Sequence, residues 1–192
     1  MLYKSKFLFS NLIVLLIVCS CSTSEEFVRP NTDFKKYDRL AVLPLVDYPN
    51  QPSSGTVVAD IISMELIKEG IDVVDRANTV QILNEQKLGL SGVIDETTAP
   101  KVGKLLGVNA IISGSVNEYG TTTTNIQVVQ GADPAYMPIS SAGVSLKLID
   151  VETGQMVWAA SARGTEVGNN LMANAARKAV RDAMEKLVKH LR

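Results

Sequence analysis

The chain has 192 residues, of which 46% are hydrophobic and 20% are charged, and its formal net charge is −1. This balance lacks the basic excess that is typical of nucleic-acid-binding proteins. The length suits one domain with a short extension, and no apolar run after Cys21 is long enough to cross a bilayer as a helix.

The first twenty residues have the pattern of an export signal. Lys4 and Lys6 give a positive start, and an apolar run follows from Phe7 to Cys19. The run is as long as a signal-peptide core but shorter than the roughly 20 apolar residues of a transmembrane helix. We therefore predict that residues 1–20 are a lipoprotein signal peptide.

The predicted signal ends in the lipobox pattern Val18-Cys19-Ser20-Cys21. An aliphatic residue lies three positions before Cys21 and a small residue lies one position before it, which predicts cleavage between Ser20 and Cys21. We expect the Cys21 thiol to carry a diacylglyceryl group and its amine an acyl chain, and we expect no other cofactor. Several acyl chains are enough for stable anchoring. Ser22, in place of Asp, favours the periplasmic face of the outer membrane.

The mature chain would therefore contain no disulfide, because Cys19 is removed and Cys21 carries lipid. Loss of Lys4 and Lys6 leaves 17 basic against 20 acidic residues, a net charge of −3. Residues 22–36 are polar and include Pro30, so we interpret 21–37 as the lipidated cysteine and a flexible tether. Fifteen extended residues would reach roughly 50 Å, which would let a domain at 38–192 stand away from the membrane.

The first half of this domain predicts a strand, a helix and a second strand. The apolar run Leu40–Val46 is expected to be a buried strand whose Pro44 lies at an edge or bend. A helix should follow from Ser53 to Gly70, with Val57, Val58, Ile61, Ile62, Leu66 and Ile67 at helical spacing. The second strand, Ile71–Asp75, should run parallel to the first.

The second half predicts two helices, three strands and a final helix. We expect helices at about 77–87 and at Thr98–Leu106, separated by a loop over 88–97, with Gly107 ending the second. The strands should cover Val108–Tyr119, Gly143–Val151 and Met156–Thr165, the last two joined by a turn at Gly154. The helix from Leu171 to Leu191 has one continuous apolar stripe. It is expected to pack on the sheet, although a surface between protomers is an alternative.

The predicted fold class is therefore α/β, with a mixed sheet of about five strands flanked by helices in the order β-α-β-α-α-β-β-β-α. The sequence offers no catalytic, metal-binding or cofactor-binding set of residues. The lone histidine, His190, is interpreted as a favourable charge near a helix C-terminus, and no nucleotide-binding glycine motif occurs. We predict a protein that is not an enzyme and has no small-molecule substrate.

Four segments, in this order and spacing, resemble the CsgG/HfaB family of outer-membrane lipoproteins: Gly70–Arg76, Ile82–Gly92, Lys104–Val116 and Leu148–Gln155. The resemblance extends from about residue 38 to residue 190. It implies a domain akin to anticodon-binding domains, homo-oligomeric rings, and a role in exporting or anchoring surface fibres such as curli. The peptidoglycan-synthase activator LpoB has a related fold.

The family's secretion channel builds its pore from two long hairpins per subunit. Here only Gly120–Ala142 could hold a hairpin of that size, and the link at Glu166–Asn170 could not. We therefore expect no complete channel from this chain alone. The leading hypothesis is an oligomeric accessory or scaffold with an envelope protein partner and no nucleic-acid partner. An LpoB-like activator and a channel subunit are the alternatives.

Overall fold

The computed structural model describes residues 24–74, 79–81, 84, 97–126 and 135–192. The predicted signal peptide, Ser20 and Cys21 lie outside these residues, as do all but Thr97 of the predicted loop over 88–97 and most of the predicted helix over 77–87. Within the described part of the chain, residues 79–81 and 84 are helical. No described helix combines the length and apolar character needed to traverse a bilayer.

The described chain forms an α/β domain around one mixed sheet of six strands. The strands are β1 (Glu25–Val28), β2 (Arg39–Val42), β3 (Asp72–Val74), β4 (Ala110–Ile126), β5 (Ala135–Asp150) and β6 (Met156–Val167). The helices are α1 (Ser54–Lys68), α2 (Ala99–Leu106) and α3 (Met172–Leu191), and a short 3₁₀ helix covers Phe34–Lys36.

The strand order across the sheet is β1-β6-β5-β4-β2-β3. Strand β2 pairs in parallel with both β3 and β4, which confirms the parallel arrangement predicted for the first two strands of the domain. The other neighbours are antiparallel. The outermost strands, β1 and β3, are only four and three residues long.

Helices cover both faces of the sheet, and the larger core lies under α1 and α3. In this core Trp158 and Ile62 are completely buried, together with the stripe of α3 that includes Ala179, Val180 and Leu187. The smaller core lies under α2. The predicted packing of the last helix on the sheet is confirmed. Val57 and Ile67 of α1, which share the helical spacing of the buried residues, are exposed.

Residues 24–37 of the predicted flexible tether are folded, and for these residues the sequence interpretation was wrong. Strand β1 pairs with β6 in the register Glu25↔Ser161 to Val28↔Trp158, and Phe34 and Tyr37 are buried in the larger core. Without β1, the outer edge of β6 would lack backbone hydrogen-bond partners. The sheet accordingly has six strands and not about five.

Three predicted strands differ clearly in length from the expectation. The first domain strand ends at Val42, two residues before Pro44, which has no N–H to donate to a ladder; beyond it, Val46 forms an isolated bridge to Ser115. Strands β4 and β5 continue past the predicted ends at Tyr119 and Gly143, and remain paired as far as Ile126↔Ala135.

Three glycines end or turn elements as the sequence predicts. Gly70 and Gly107 follow α1 and α2 with φ angles of 79° and 65°, and Gly154 lies in the turn between β5 and β6 with φ of 74°. These left-handed conformations suit glycine because it has no Cβ.

The link from β6 to α3 comprises only residues 168–171, so it contains no second hairpin.

Candidate functional site

Only three residues separate the predicted lipid-carrying residue from the folded domain. Strand β1 begins at Glu25, so Ser22, Thr23 and Ser24 are the whole link to Cys21. Four residues of extended chain span at most about 14 Å. The N-terminal segment, defined here as residues 24–37, is therefore the candidate site through which an anchored chain would be fixed relative to a membrane.

The pairing of β1 shows from which end of the sheet this strand enters. Strand β1 is antiparallel to β6, with Glu25 opposite Ser161 and Val28 opposite Trp158. The chain before Glu25 therefore comes from the end of the sheet where β6 terminates at Val167. We call this the distal end and define it by residues 121–125, 136–139 and Val167.

Glu26 fastens β1 to the rest of the domain. The Trp158 indole N–H donates a hydrogen bond to Glu26 Oε1 at 2.8 Å. On α3, His190 Nε2 lies 3.4 Å from Glu26 Oε1, and Lys186 Nζ lies 3.7 Å from Glu26 Oε2. The Glu26 side chain is only 15% exposed, and a carboxylate at that depth is tolerated because it has donors and positive charge around it.

Phe34 supplies an apolar contact beside this polar group. Its ring stacks on His190 with centroids 4.8 Å apart and planes 22° apart, and it meets the edge of Tyr37 at 6.0 Å. His190, interpreted from sequence as a helix-terminal charge, therefore contacts the N-terminal segment. Within the residues that the structure describes, no group of three His, Cys, Asp or Glu side chains could hold a metal ion.

Asp150 joins the N-terminal segment to the β5–β6 turn. Its Oδ2 accepts a hydrogen bond from the Tyr37 hydroxyl at 2.8 Å and lies 2.5 Å from Lys36 Nζ. Its Oδ1 accepts hydrogen bonds from the backbone N–H of Thr153 at 2.7 Å and from the Thr153 hydroxyl at 3.0 Å. Both oxygens of a carboxylate that is only 2% exposed are thus satisfied.

The charges in this cluster are held in fixed states. Burial opposes ionisation of Asp150, but the hydrogen bonds from Lys36, Thr153 and Tyr37 outweigh it and bring the pKa of Asp150 down to about 2. The hydrogen bond to Asp150 raises the pKa of Lys36. Burial, followed by the bond to Asp150, raises the pKa of Tyr37 far above its usual range. None of these groups titrates near neutral pH, so the cluster is suited to attachment and not to proton transfer.

Sequence reasoning missed the contributions of Glu26, Phe34, Tyr37 and Asp150. The sequence contains little local signal for β1, because Glu25-Glu26-Phe27-Val28 does not alternate polar and apolar residues and only Phe27 and Val28 favour a strand. The lipidation residue Cys21 and the cleavage position Ser20 remain sequence predictions, because both lie outside the described residues.

Comparison with known proteins identifies relatives of this domain. The sequence model of the family described as "Curli production assembly/transport component CsgG" matches residues 41–178. This match confirms the family resemblance of the sequence. No curated protein sequence matches the chain significantly.

Solved structures share the fold at low sequence identity. The PelC dodecamer of Paraburkholderia phytofirmans is 20% identical with a TM-score of 0.55, covering 85% of this chain and 95% of that chain. Lipoprotein GNA1162 of Neisseria meningitidis is 16% identical with a TM-score of 0.57, covering 79% and 98%. The LpoB C-terminal domain of Escherichia coli is 12% identical with a TM-score of 0.47, covering 67% and 83%.

Proposed function

Since the chain belongs to the CsgG family of curli production assembly and transport components, we propose that it is an envelope lipoprotein that supports the export or assembly of a surface structure without catalysing a reaction. The observation that carries the proposal is the family match, which extends from β2 into α3 and so includes most of the described fold. The Asp150 cluster, in which Asp150 stays ionised and Tyr37 stays protonated near neutral pH, supports a structural role.

The anchor in this proposal is lipid on Cys21. The lipobox Val18–Cys21 supports it, as does the positive, apolar signal before it. A related fold occurs in a protein described as a lipoprotein, GNA1162. Ser22 favours the periplasmic face of the outer membrane as the location.

Homo-oligomerisation is the second part of the proposal. PelC, which shares the fold over 85% of this chain, is described as a dodecamer. A ring of tethered subunits would present many copies of each surface to an envelope partner and raise the avidity of a weak contact. The expected partners are copies of this chain and another envelope protein, with no nucleic acid and no small-molecule substrate.

The folded N-terminal segment weakens the LpoB-like alternative. An activator that works on a distant synthase needs a long tether, and the tether predicted from sequence would have reached roughly 50 Å. Strand β1 and the buried side chains of Phe34 and Tyr37 leave only residues 22–24 for this purpose. A domain so close to its anchor is better suited to a partner that is itself at the membrane.

The test compares two cysteine substitutions in cells. Cys21→Ala should abolish incorporation of labelled palmitate and release a folded domain from the membrane fraction, whereas Cys19→Ala, the matched control, should leave both unchanged. Palmitate on the Cys21→Ala protein would contradict the lipid anchor.

Light scattering of the chain beginning at Ser24 tests homo-oligomerisation. A strictly monomeric state at high concentration would contradict it.

A further inference from the structure

The register of β1 places the predicted cleavage site beside the sheet. Glu25 pairs with Ser161 of β6, and β6 continues from there to Val167 at the distal end, about 20 Å farther. Cys21 can lie no more than about 14 Å from Glu25. Even a link that runs straight on from β1 therefore cannot carry the bond between Ser20 and Cys21 past the end of β6.

This position restricts access to the bond when β1 is docked, that is, paired with β6. A peptidase must hold the bond in a defined geometry, so the chain on both sides has to enter its cleft. A domain of this size has a radius of gyration of about 15 Å, and only Ser22, Thr23 and Ser24 separate it from Cys21. A docked β1 therefore keeps the chain after the bond out of the cleft.

Strand β1 is held weakly enough to leave the sheet. None of its four side chains is buried, and ordering four residues costs conformational entropy that largely offsets the net gain from a few ladder hydrogen bonds. Its polar fastening is Glu26, which accepts a hydrogen bond from Trp158 and lies 3.4 Å from His190. Arg29, just after β1, donates two hydrogen bonds to the backbone of β6 and would leave with the strand.

The second half of the N-terminal segment is held firmly. Phe34 and Tyr37 are buried in the larger core, and Asp150 binds both Lys36 and Tyr37. Opening of β1 can therefore stop before the 3₁₀ helix while the rest of the domain stays folded. The link after Cys21 then comprises residues 22–33 instead of 22–24, and its reach rises from about 14 Å to about 45 Å.

We propose that β1 docks on β6 only after the peptide bond between Ser20 and Cys21 has been hydrolysed. In this reaction water adds across the bond, which leaves a carboxylate on Ser20 and an amine on Cys21. The undocked residues 22–33 first serve as the extended link that lets the chain enter the peptidase. Strand β1 then closes onto the sheet and shortens the link. This inference rests on the lipid anchor proposed above, including cleavage before Cys21.

A disulfide between β1 and β6 can report when docking occurs. Phe27 lies directly opposite Ala159, and opposite residues of antiparallel strands have Cα separations that a disulfide can span. Phe27→Cys and Ala159→Cys are introduced together in a chain carrying Cys19→Ala. Each single substitution is the control for unwanted pairing with Cys21. In a pulse–chase experiment in cells, we expect the disulfide in the mature form and not in the precursor.

Holding back the precursor tests whether docking blocks cleavage. A signal-peptidase inhibitor lets the precursor accumulate, an oxidant is added, and cleavage is followed after the inhibitor is removed, with or without a reductant. We expect the disulfide-linked precursor to be cleaved severalfold more slowly than the reduced precursor. Inserting ten Gly and Ser residues between Ser24 and Glu25, which adds up to about 33 Å of reach, should restore the rate.

Three other outcomes are decisive. Cleavage of the disulfide-linked precursor at the rate of the reduced precursor would overturn the proposal. A disulfide that forms in neither the precursor nor the mature chain would also overturn it, because β1 would then not dock at all. A disulfide that the oxidant produces in the mature chain but not in the precursor would support it.

The single substitutions separate this inference from the proposal on which it rests. If the chains with Phe27→Cys or Ala159→Cys alone are neither cleaved nor labelled with palmitate, the lipid anchor is wrong. If they are cleaved and labelled, but the disulfide does not slow cleavage, only the order of cleavage and docking is wrong.

Discussion

Asp150 shows how one buried charge connects two separate parts of the chain. Its oxygens receive hydrogen bonds from Lys36 and Tyr37, at the end of the 3₁₀ helix, and from Thr153 in the β5–β6 turn. Breaking such a network leaves a buried group without its partners, and this is more costly than the network's net contribution. The residue therefore holds the N-terminal segment against the β5–β6 turn.

The lowered pKa of Asp150 predicts an acid-dependent loss of stability. A carboxyl whose pKa falls from the ordinary value of 3.8 to about 2 on folding stabilises the native state by about 2 kcal/mol above pH 4. This contribution is lost as the pH falls from about 4 to about 2. Asp150→Asn should therefore lower the free energy of unfolding by about this amount at pH 7 and by much less near pH 2, as measured by urea denaturation.

Glu185→Gln is the matched control for this substitution. Glu185 pairs with Lys189 along α3 at 2.7 Å, but both side chains are largely exposed, so the change should have little effect at either pH. If Asp150→Asn cost the same at pH 7 and pH 2, ionisation of Asp150 would not be the source of the stability.

Single residues could be predicted from sequence only where their signal was local. The lipobox lies within four consecutive residues, and Gly107 follows the apolar pattern of its own helix. Glu26 was missed because its partner Trp158 lies 132 positions away, and no local pattern records that distance. The same holds for Tyr37 and Asp150, which are 113 positions apart.

At the scale of elements, the contact between β6 and α3 depends on a residue without a side chain. A Cβ added to Gly164 would lie 2.1 Å from the carbonyl oxygen of Ala175 and 2.6 Å from the amide nitrogen of Ala179. Both atoms belong to the backbone of α3, so no rotamer change can remove the overlap. The glycine lets the helix approach the sheet closely enough to bury its alanine-rich stripe.

Gly164→Ala should therefore destabilise the domain. We expect a loss of about 1–3 kcal/mol or more, because α3 must move away from the sheet. Gly120→Ala is the control: a Cβ there meets no atom within 4 Å, and replacing a strand glycine should be neutral or slightly stabilising. Thermal unfolding of the two variants provides the comparison, and equal midpoints would contradict the close packing of α3.

The long elements were the easiest to predict, because their patterns repeat over many residues. The stripe of α3 and the turn at Gly154 lie where the sequence placed them. The ends of β4 and β5 were less predictable, since the threonines at 121–124 favour extended chain without indicating a partner. Whether two segments pair, as Thr122 does with Ile139, depends on both segments, so neither sequence alone predicts it.

At the scale of the whole molecule, the N-terminal segment is part of the domain, and this changes where the chain can be cut. A chain beginning at Ser24 retains β1, Phe34 and Tyr37. A chain beginning at Asp38, the boundary suggested by sequence, would lose two buried aromatic side chains and expose the edge of β6.

We expect the chain beginning at Asp38 to be less stable by at least about 3 kcal/mol, the usual scale for removing a single buried aromatic side chain. It should also aggregate, because an unpaired strand edge invites pairing between molecules. Differential scanning calorimetry and light scattering of the two truncated chains, at equal concentration, provide the measurement. Equal melting temperatures would show that residues 24–37 do not stabilise the domain.

The pairing of β1 with β6 also has a consequence for the order of folding. These strands contact each other across about 130 residues of chain, and contacts between distant segments form slowly. We expect β1 to join the sheet after the β5–β6 hairpin, whose strands are neighbours in sequence. Pulsed hydrogen exchange during refolding should then protect the amides of Glu25–Val28 last, and early protection would contradict this order. A chain that crosses a membrane from its N-terminus could not complete its sheet until β6 had emerged on the far side. It would therefore stay incompletely folded during translocation.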